Sequence, residues 1–451
     1  MPRCHDLSAL LATSAEEHLE PRHTGLMERW APVADWMAQR LAEGFDASCK
    51  SNTARIGPRV VGRDRAGRGL SGINFAMEDP LSLSSHPRIL TAATAAARRY
   101  GVHAAGSASQ MGLCTLGTQL EARLAAHLGY AGATLFPCGW SAAFGALRTL
   151  LRAGDHVLIC GPVRDGVRQG AAASGARVHL LPEADCLTLA DRLDHLRDHH
   201  PQAGILVVLH ALGPCGAGLP DLGRVQALCR RHATTLMVDV SDDLGVMGET
   251  GGGVIEMQGL PGQVDIVTGS LASVFAANGG FVASNHPALK PALRLAAGAQ
   301  TECSAMSPVQ AAVALAVLDL VTGEEGVIRR ARLATNAARL RAGLHAAGFV
   351  PVSMPGPVVT LRFPGLEQAR RLTAEMLAHG VMLNLDEAPG PAAGAPHPMP
   401  ASQAAAVWRL RVMADHSPED IDMLVTRLVE ARQRLDRAAR QDWEDRLAGV
   451  A

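Results

Sequence analysis

Lysine is almost absent from this sequence, and the shortage limits the chemistry that the chain can perform. Of the 42 lysine and arginine residues, two are lysines, Lys50 and Lys290. Any reaction that needs a primary amine therefore has two candidate side chains. Neither sign of charge is in excess, since 43 acidic residues leave a formal net charge of −1. With no basic arm and no clustered Lys/Arg face, neither a nucleic-acid partner nor an anionic membrane surface is expected.

Long apolar runs and paired cysteines are missing as well. The most apolar stretch, Gly204–Leu212, is far too short to span a bilayer, and residues 1–15 hold no apolar run of signal-peptide length. The nine cysteines include no C-x-x-C pair, which speaks against a zinc site or a disulfide framework. We expect a protein of the reducing cytoplasm, without a transmembrane segment and without metal ligands.

What the sequence does contain is a regular alternation of helical and apolar segments. Its 451 residues, 48% hydrophobic and 19% charged, suffice for more than one globular domain. Short apolar strands separated by amphipathic helices predict an α/β fold with a mostly parallel, seven-stranded sheet between helices. The predicted strands are Ala133–Phe136, His156–Ile159, Val178–Leu181, Ile205–Leu209, Thr235–Asp239, Val264–Thr268 and Gly280–Ala283.

Three regions are predicted along the chain. Residues 1–70 form an N-terminal helical arm, with Trp30 and Trp36 on one helical face and a loop at Arg59–Gly69. Residues 71–330 form the large α/β domain, and residues 331–451 form a smaller α+β domain. The strands predicted in this last domain are Val358–Phe363, Val381–Leu385 and Trp408–Val412, and its helices are Glu367–His379 and Pro418–Arg434.

The loops that follow the strands make the candidate site. Loops at the carboxyl ends of parallel strands form a crevice for a ligand. The turn Pro137–Gly139 opens a helix, whose first backbone N–H groups suit a phosphate. Asp239 closes an apolar strand. Taken singly, such a glycine is more often a turn and such an aspartate a helix cap, so the function depends on the whole ordered set of motifs.

The order of these motifs, from Asn74 to Ile421, resembles that of the α-oxoamine synthases. This family includes serine palmitoyltransferase, 5-aminolevulinate synthase, 8-amino-7-oxononanoate synthase and glycine C-acetyltransferase. The resemblance implies the pyridoxal-phosphate-dependent transferase fold, which is like that of aspartate aminotransferase. The motifs that carry it are Ile73–Pro87, Tyr100–Val102 with Gly106, Ser107 and Gly112, then Leu135–Trp140, Met237–Gly248, Val264–Ala283, and His416 with Pro418–Ile421.

At one position the sequence departs from the family pattern, and the change removes the amine that would bind the cofactor covalently. The segment Gly269–Phe275 is similar to the family's Gly-Thr-Leu-Ser-Lys-Ala-Phe, and it has Ser273 at the lysine position. A serine hydroxyl cannot form an imine with an aldehyde. We therefore expect no covalently bound cofactor, and pyridoxal phosphate or pyridoxamine phosphate only as a non-covalent ligand. Asp239, which the resemblance places against the pyridine nitrogen, is kept.

Other site residues follow from the same resemblance. The histidine that stacks on the pyridine ring is replaced by Arg164, the histidine after the strand-end aspartate by Asp242, and a glutamate by His210. Ser270 stands at a phosphate-binding threonine, and Ser304 at a position that the neighbouring subunit contributes. The expected cofactor-binding residues are Cys138, Gly139, Trp140, Arg164, Asp239, Ser270 and Ser304. The expected catalytic positions are Ser273, Asp239, Asp242, His210 and Cys138.

Three functions remain open from the sequence. The chain is a non-catalytic subunit in a homodimer or in a heterodimer with a lysine-containing paralogue, for an enzyme that condenses acyl-CoA or acyl-carrier protein with an amino acid. Alternatively, it is an acyltransferase or thioester-processing enzyme that works without the cofactor. The third function is an enzyme that binds the cofactor non-covalently, with Asp242 or His210 as base. The candidate thiols are Cys138, Cys160 and Cys215, and a carboxylate ligand would meet Arg409 or Arg411.

Overall fold

The computed structural model describes residues 7–20, 22–45, 50–213, 219–352, 356–387 and 406–448. The chain forms two compact units. One unit comprises Glu78–Leu333 with Ser353–Gly356, and the other comprises Met1–Met77, Ala334–Val352 and Pro357–Ala451. The boundary near residue 333 falls inside the helix Glu324–Ala346.

The unit that begins at Glu78 is built around a seven-stranded sheet, which confirms the predicted α/β fold. All seven predicted strands are present, and no strand end differs from its prediction by more than two residues. The strands are Gly132–Phe136, His156–Cys160, Arg177–Leu181, Ile205–His210, Thr235–Asp239, Ile266–Ser270 and Gly280–Ser284.

The topology of this sheet brings the ends of several strands to one edge. In sheet order, the strands begin at Gly132, Gly280, Ile266, Thr235, Ile205, His156 and Arg177. The strand Gly280–Ser284 is antiparallel to both of its neighbours, and all other neighbouring pairs are parallel. The carboxyl ends of six strands therefore lie at one edge, which is where ligands bind in open α/β sheets.

The strands are apolar because both faces of a parallel sheet of this kind are covered by helices. Every residue of His156–Cys160 and of Ile205–His210 is buried. The helices of this unit are Pro87–Tyr100, Thr115–Leu128, Gly139–Leu150, Asp165–Ser174, Cys186–His199, Leu222–Arg231, Gly253–Met257, Leu289–Ala296, Gly298–Thr301 and Pro308–Thr322.

Glycines let two of these helices approach closely beside the candidate site. A Cβ atom at Gly166 would lie 2.7 Å from the carbonyl oxygen of Trp140, and one at Gly170 would lie 2.9 Å from the Cα of Phe144. The helices Gly139–Leu150 and Asp165–Ser174 therefore pack backbone to backbone. This contact fixes the residues at the start of both helices.

The other unit begins with helices and continues with a small sheet. Its N-terminal elements are the helix Leu7–Ala12, the 3₁₀ turn Glu28–Trp30 and the helix Ala31–Ala42. The prediction of a loop at Arg59–Gly69 is wrong, because Arg59–Arg63 pairs with Gly69–Asn74 as an antiparallel hairpin. Burial alternates along Arg59–Arg63, as in a strand with one solvated face, and the exposed arginines hide that alternation in the sequence.

This hairpin shares its sheet with the C-terminal part of the chain. Val381–Met382 pairs in parallel with Ile73–Asn74, and Ser51–Asn52 forms the opposite edge. The N-terminal residues, predicted as a separate arm, thus belong to the same compact unit as the C-terminal residues. The pairing joins segments about 300 residues apart, so a local sequence pattern cannot predict it.

The remaining strands of this unit form a second antiparallel sheet, in the order Val358–Phe363, Ala406–Arg411 and Leu385–Asp386. The predicted strand Val381–Leu385 is therefore two short strands in two different sheets. The indole N–H of Trp408, a fully buried residue, donates to the hydroxyl of Thr373 over 2.8 Å. The helices of this region are Leu366–Ala378 and Pro418–Ala448, and the second extends well past its predicted end.

No helix among the described residues is long and apolar enough to cross a membrane.

Candidate active site

Asp239 lies at the centre of the sheet edge where the parallel strands end. It is the last residue of its strand, and only 4% of it is exposed. Its Oδ1 accepts the backbone N–H of Ser241 over 2.8 Å, and its Oδ2 lies 3.8 Å from Nε2 of His210. The hydrogen bond from Ser241 fixes the position of this buried carboxyl group at the edge of the sheet.

His210 ends the neighbouring strand and is equally buried. The backbone N–H of Arg164 donates to its Nε2 over 3.2 Å. Because an N–H donor needs a lone pair, Nε2 carries no hydrogen and the ring proton of the neutral imidazole belongs to Nδ1. That Nδ1 is buried and has no protein partner among the described residues. The structure thus places the predicted residues Asp239, His210 and Arg164 together.

Arg164 and Asp242 form an ion pair across this site. Arg164 comes just before the helix Asp165–Ser174, and Asp242 follows the strand that Asp239 closes. Burial opposes the charge of Arg164, but the carboxylates of Asp242, Asp239 and Glu78 outweigh that effect and raise its pKa. Nε of Arg164 and Oδ2 of Asp242 are both buried, and neither has a partner within the described part of the chain.

Asp243 is a third acidic residue of this segment, and it is not among the site residues predicted from the sequence. It is completely buried, and its Oδ2 accepts the backbone N–H of Val254 over 2.7 Å. Burial, with smaller contributions from Asp242 and Asp239, raises the pKa of Asp243 to about 7. The pair of adjacent aspartates directly after an apolar strand is the signal that points to it.

Ser241 links the strand ends to each other and was also not selected. Its hydroxyl accepts the backbone N–H of Ser270 over 2.9 Å. Its carbonyl accepts the hydroxyl of Ser273 over 3.3 Å, while its own N–H donates to Asp239. Two of the predicted positions, Ser270 and Ser273, are therefore joined to Asp239 through one residue.

The start of the helix Gly139–Leu150 packs against Ser270. A Cβ atom at Gly139 would lie 2.6 Å from Cβ of Ser270, so only glycine fits without a shift of the backbone. Sγ of Cys138 accepts the N–H of Ser141, and the Ser141 hydroxyl donates to the Cys138 carbonyl over 2.9 Å. The first N–H groups of a helix have no acceptor inside it. Cys138 takes that of Ser141, which leaves those of Gly139 and Trp140 for an anion.

Trp140 and Ser304, two other predicted cofactor residues, have neighbours of their own. The indole of Trp140 stacks on Phe144 with 4.8 Å between ring centroids, donates to Gln169 and is 47% exposed. Ser304 pairs with Ser107 through an antiparallel bridge in the same chain. These contacts fix both residues but do not bring them to Asp239.

The lysine of this unit is held elsewhere. Nζ of Lys290 lies 2.7 Å from Oε2 of Glu121, a buried carboxylate that also pairs with Arg294 and accepts the N–H of Leu135. The other lysine, Lys50, belongs to the other unit. The amine of Lys290 thus serves as a counter-charge in a structural network.

The candidate thiols differ in their chemistry. Burial raises the pKa of Cys160 to about 12, with small additional effects of Cys229 and Cys186, so its thiol stays protonated near neutral pH. Cys138 is exposed, and its thiol is hydrogen-bonded to Ser141. Cys215, with the rest of Pro214–Gly218, lies outside the described residues.

Two further predictions concern a carboxylate ligand and metals. Arg409 forms an ion pair with Asp386 at 3.1 Å within its own unit, so the choice between Arg409 and Arg411 stays open. Among the residues that the structure describes, no three His, Cys, Asp or Glu side chains are grouped as metal ligands.

The fold is that of the transferases that use pyridoxal phosphate, and comparison with known proteins agrees. The sequence profile of the aminotransferase class I and II family matches residues 71–428. The 8-amino-7-oxononanoate synthase of Geobacter metallireducens is 31% identical over 391 residues, which cover 86% of this chain and 94% of that protein. A putative 8-amino-7-oxononanoate synthase of Gloeobacter violaceus is 30% identical, covering 87% and 95%.

A solved structure has the same fold. Serine palmitoyltransferase of Sphingomonas wittichii superposes with a TM-score of 0.81 over 91% of this chain and 99% of that chain, at 23% identity. The chain belongs to the aminotransferase class I and II family and, within it, to the α-oxoamine synthases. This family is pyridoxal-phosphate-dependent, and the chain is an acyltransferase-like member of it.

Proposed function

We propose that this chain is a catalytically impaired α-oxoamine synthase homologue that acts as the partner subunit of an enzyme condensing an acyl thioester with an amino acid. The observation that carries the proposal is the side chain of Ser273. The resemblance of Gly269–Phe275 to the family's lysine segment puts Ser273 at the position of the covalent lysine. In the structure its hydroxyl donates to the carbonyl of Ser241. A hydroxyl in this place cannot hold an aldehyde as an imine.

The residues of the site fit one part of the cofactor and not another. Asp239 is a buried carboxylate of the kind that keeps a pyridine nitrogen protonated, and Gly139 leaves the helix start open beside Ser270. The covalent attachment has no counterpart, because Lys290 is engaged by Glu121. When it is bound, pyridoxal phosphate supplies an electron sink. Without the attachment and with Arg164 paired to Asp242, the site does not fit a resident, covalently held cofactor.

In a dimer, a chain that is itself catalytically impaired could still contribute residues to the active site of its partner. The segment around Ser107, which the bridge joins to Ser304, carries large apolar side chains in solvent, with Met111 93% exposed and Val102 74% exposed. Apolar groups in such a position favour a protein contact. We propose a homodimer, or a heterodimer with a lysine-containing paralogue, that buries this segment beside the partner's site. The acyl donor would be acyl-CoA or an acyl-carrier protein, and the compartment the cytoplasm.

A second candidate function is supported by Asp239. An enzyme that holds pyridoxal phosphate or pyridoxamine phosphate non-covalently needs a buried carboxylate for the ring nitrogen, and Asp239 provides one. Asp242 would be its base, because its Oδ2 has no partner in the described residues, and the Nδ1–H of His210 would donate a hydrogen bond to the ligand. The thioester-processing alternative rests on the exposed thiol of Cys138, since the pKa of Cys160 excludes that thiol near neutral pH.

An absorbance titration with pyridoxal phosphate, followed by dialysis, separates these functions. The partner-subunit proposal predicts no imine band and complete loss of the cofactor on dialysis. It also predicts that sedimentation gives a dimer, and that Met111→Arg shifts the species towards monomer while Leu295→Arg, at another exposed apolar residue, does not. A stable band that survives dialysis would refute the proposal. Turnover of an acyl thioester by the purified chain alone would favour the enzyme alternatives.

A further inference from the structure

The site contains more buried negative charge than a protein interior tolerates without compensation. Asp239, Asp242 and Asp243 lie within five consecutive residues, and two of them are almost completely buried. Removing an ionised carboxylate from water costs several kcal/mol unless a cation or several hydrogen bonds compensate the charge. Asp243 meets this cost in part by taking up a proton, since its pKa is about 7. Asp239 and Asp242 need a partner.

His210 does not supply the missing positive charge. It is the nearest basic side chain to Asp239, but its Nε2 accepts the backbone N–H of Arg164 and therefore carries no proton. A protonated ring would place two hydrogens against each other at that position. The 3.8 Å between Nε2 and Oδ2 of Asp239 is also too long for a hydrogen bond.

Arg164 does supply the charge. Its guanidinium pairs with Asp242, and the field of Asp239 favours its charged form as well. Its backbone is anchored by His210 and lies two residues before the close contact of Gly166 with Trp140, and its guanidinium is held by the ion pair with Asp242. Part of its side chain remains exposed, which makes this the accessible cation of the site.

We propose that the guanidinium of Arg164 is a resident counter-ion for Asp239 and Asp242, so that the site is compensated without a ligand and excludes ligands whose own cation would pair with Asp239. The inference rests on the proposed function, because it takes the site as one without a covalently held cofactor. It goes beyond that function by naming the residue that decides which ligands enter. Truncating Arg164 should create a vacant site for a planar cation.

Chemical rescue tests this directly. Arg164→Ala should lower the midpoint of thermal unfolding by several degrees, and millimolar guanidinium or methylguanidinium should restore part of the loss. Sodium chloride at the same ionic strength should not. The matched control is Arg168→Ala, four residues further on, because Arg168 pairs with Asp165 at an exposed position. Its midpoint should change little and should not respond to guanidinium. In Arg164→Ala with Asp242→Asn, the rescue should weaken.

Binding of pyridoxamine phosphate, which needs no amine on the protein, gives a second measurement. The fluorescence of pyridoxamine phosphate measures its binding. Arg164→Ala should bind this ligand at least about tenfold more tightly than the unmodified chain does, a change of 1.4 kcal/mol. If Arg164→Ala does not fold, Arg164→Lys and Arg164→Gln replace it, and the tighter binding is expected for the uncharged glutamine.

The inference is overturned if Arg164 variants keep the original unfolding midpoint, show no response to guanidinium and bind pyridoxamine phosphate no more tightly. Such a result would not affect the proposed function, because the proposed function depends on the absence of covalent cofactor attachment and not on Arg164. Conversely, an imine with the unmodified chain would refute the proposed function whatever the Arg164 variants do.

Discussion

The backbone N–H of Arg164 donates to Nε2 of His210, and this one hydrogen bond fixes both the tautomer of the histidine and the position of the arginine. The histidine is thereby kept neutral beside Asp239, and the arginine side chain reaches Asp242. Two residues that differ from the family pattern thus support each other. This mutual support agrees with our proposal that the site is a set of compensating side chains and not a cofactor site that has lost one lysine.

Restoring the lysine alone should recover only part of the lost chemistry. Ser273→Lys should give a borohydride-stable adduct with pyridoxal phosphate at residue 273, because the serine position lies beside the strand ends that hold Asp239. Combined with Arg164→His and Asp242→His, the same change should raise the yield several-fold, since the resident ion pair is gone. Peptide mass mapping measures the yield.

The control for this prediction is Ser273→Ala, which removes the hydroxyl without adding an amine and should give no adduct. Ser273→Lys with Asp239→Ala should lose most of the adduct. Equal yields with and without Asp239 would mean that the added lysine reacts outside the proposed site.

A chain of three side chains predicts that acid destabilises the protein. Arg192 donates to Nδ1 of His179 over 2.6 Å, and Nε2 of His179 therefore donates to Nδ1 of His156 over 2.9 Å. A proton added to either ring breaks one of these bonds. Burial, with Arg192 and His156 contributing, lowers the pKa of His179 to about 4, and burial likewise lowers that of His156.

The sign follows from proton linkage. Between the ordinary histidine pKa of about 6.5 and the folded value of about 4, the unfolded chain binds more protons, so stability falls as the pH falls through this window. His179→Gln should flatten the unfolding midpoint against pH between pH 6.5 and 4. His195→Gln, at an exposed ring, is the control and should leave the slope unchanged. An unchanged slope in His179→Gln would contradict the prediction.

The network around Glu121 should be important for stability. Glu121→Ala removes the buried partner of Lys290 and Arg294, and Arg294 is itself largely buried. Loss of one partner from a buried ion pair costs about 3–5 kcal/mol in free energy of unfolding. Denaturant titration measures the change. Asp319→Ala, which breaks the exposed pair with Arg123, should cost less than about 1 kcal/mol. Similar losses of unfolding free energy in Glu121→Ala and Asp319→Ala would contradict the prediction that the buried network contributes more than the exposed pair.

Gly139 should tolerate no side chain. In Gly139→Ala the new Cβ would meet Ser270 at 2.6 Å, and overpacking of this kind costs about 1–3 kcal/mol. Gly132→Ala is the matched control, because it meets no atom within 4 Å and should be close to neutral. If Gly139→Ala unfolds at the same denaturant concentration as the unmodified chain, the helix start is looser than the structure indicates.

The sequence predicts the central sheet well, because its strands are apolar along their whole length and lie between clear helices. It does not predict the hairpin at Arg59–Arg63, where exposed arginines obscure a short alternation. The site residues at strand ends were predictable from motif order. The ion pair of Arg164 with Asp242 was not, because it joins positions 78 residues apart and depends on two side chains that both depart from the family pattern.

The most direct test of the central claim is borohydride reduction of the unmodified chain with added pyridoxal phosphate, followed by peptide mass mapping. We expect no specific adduct, because Ser273 has no amine and Lys290 is held by Glu121. A stoichiometric adduct on Lys290 or Lys50 would contradict it.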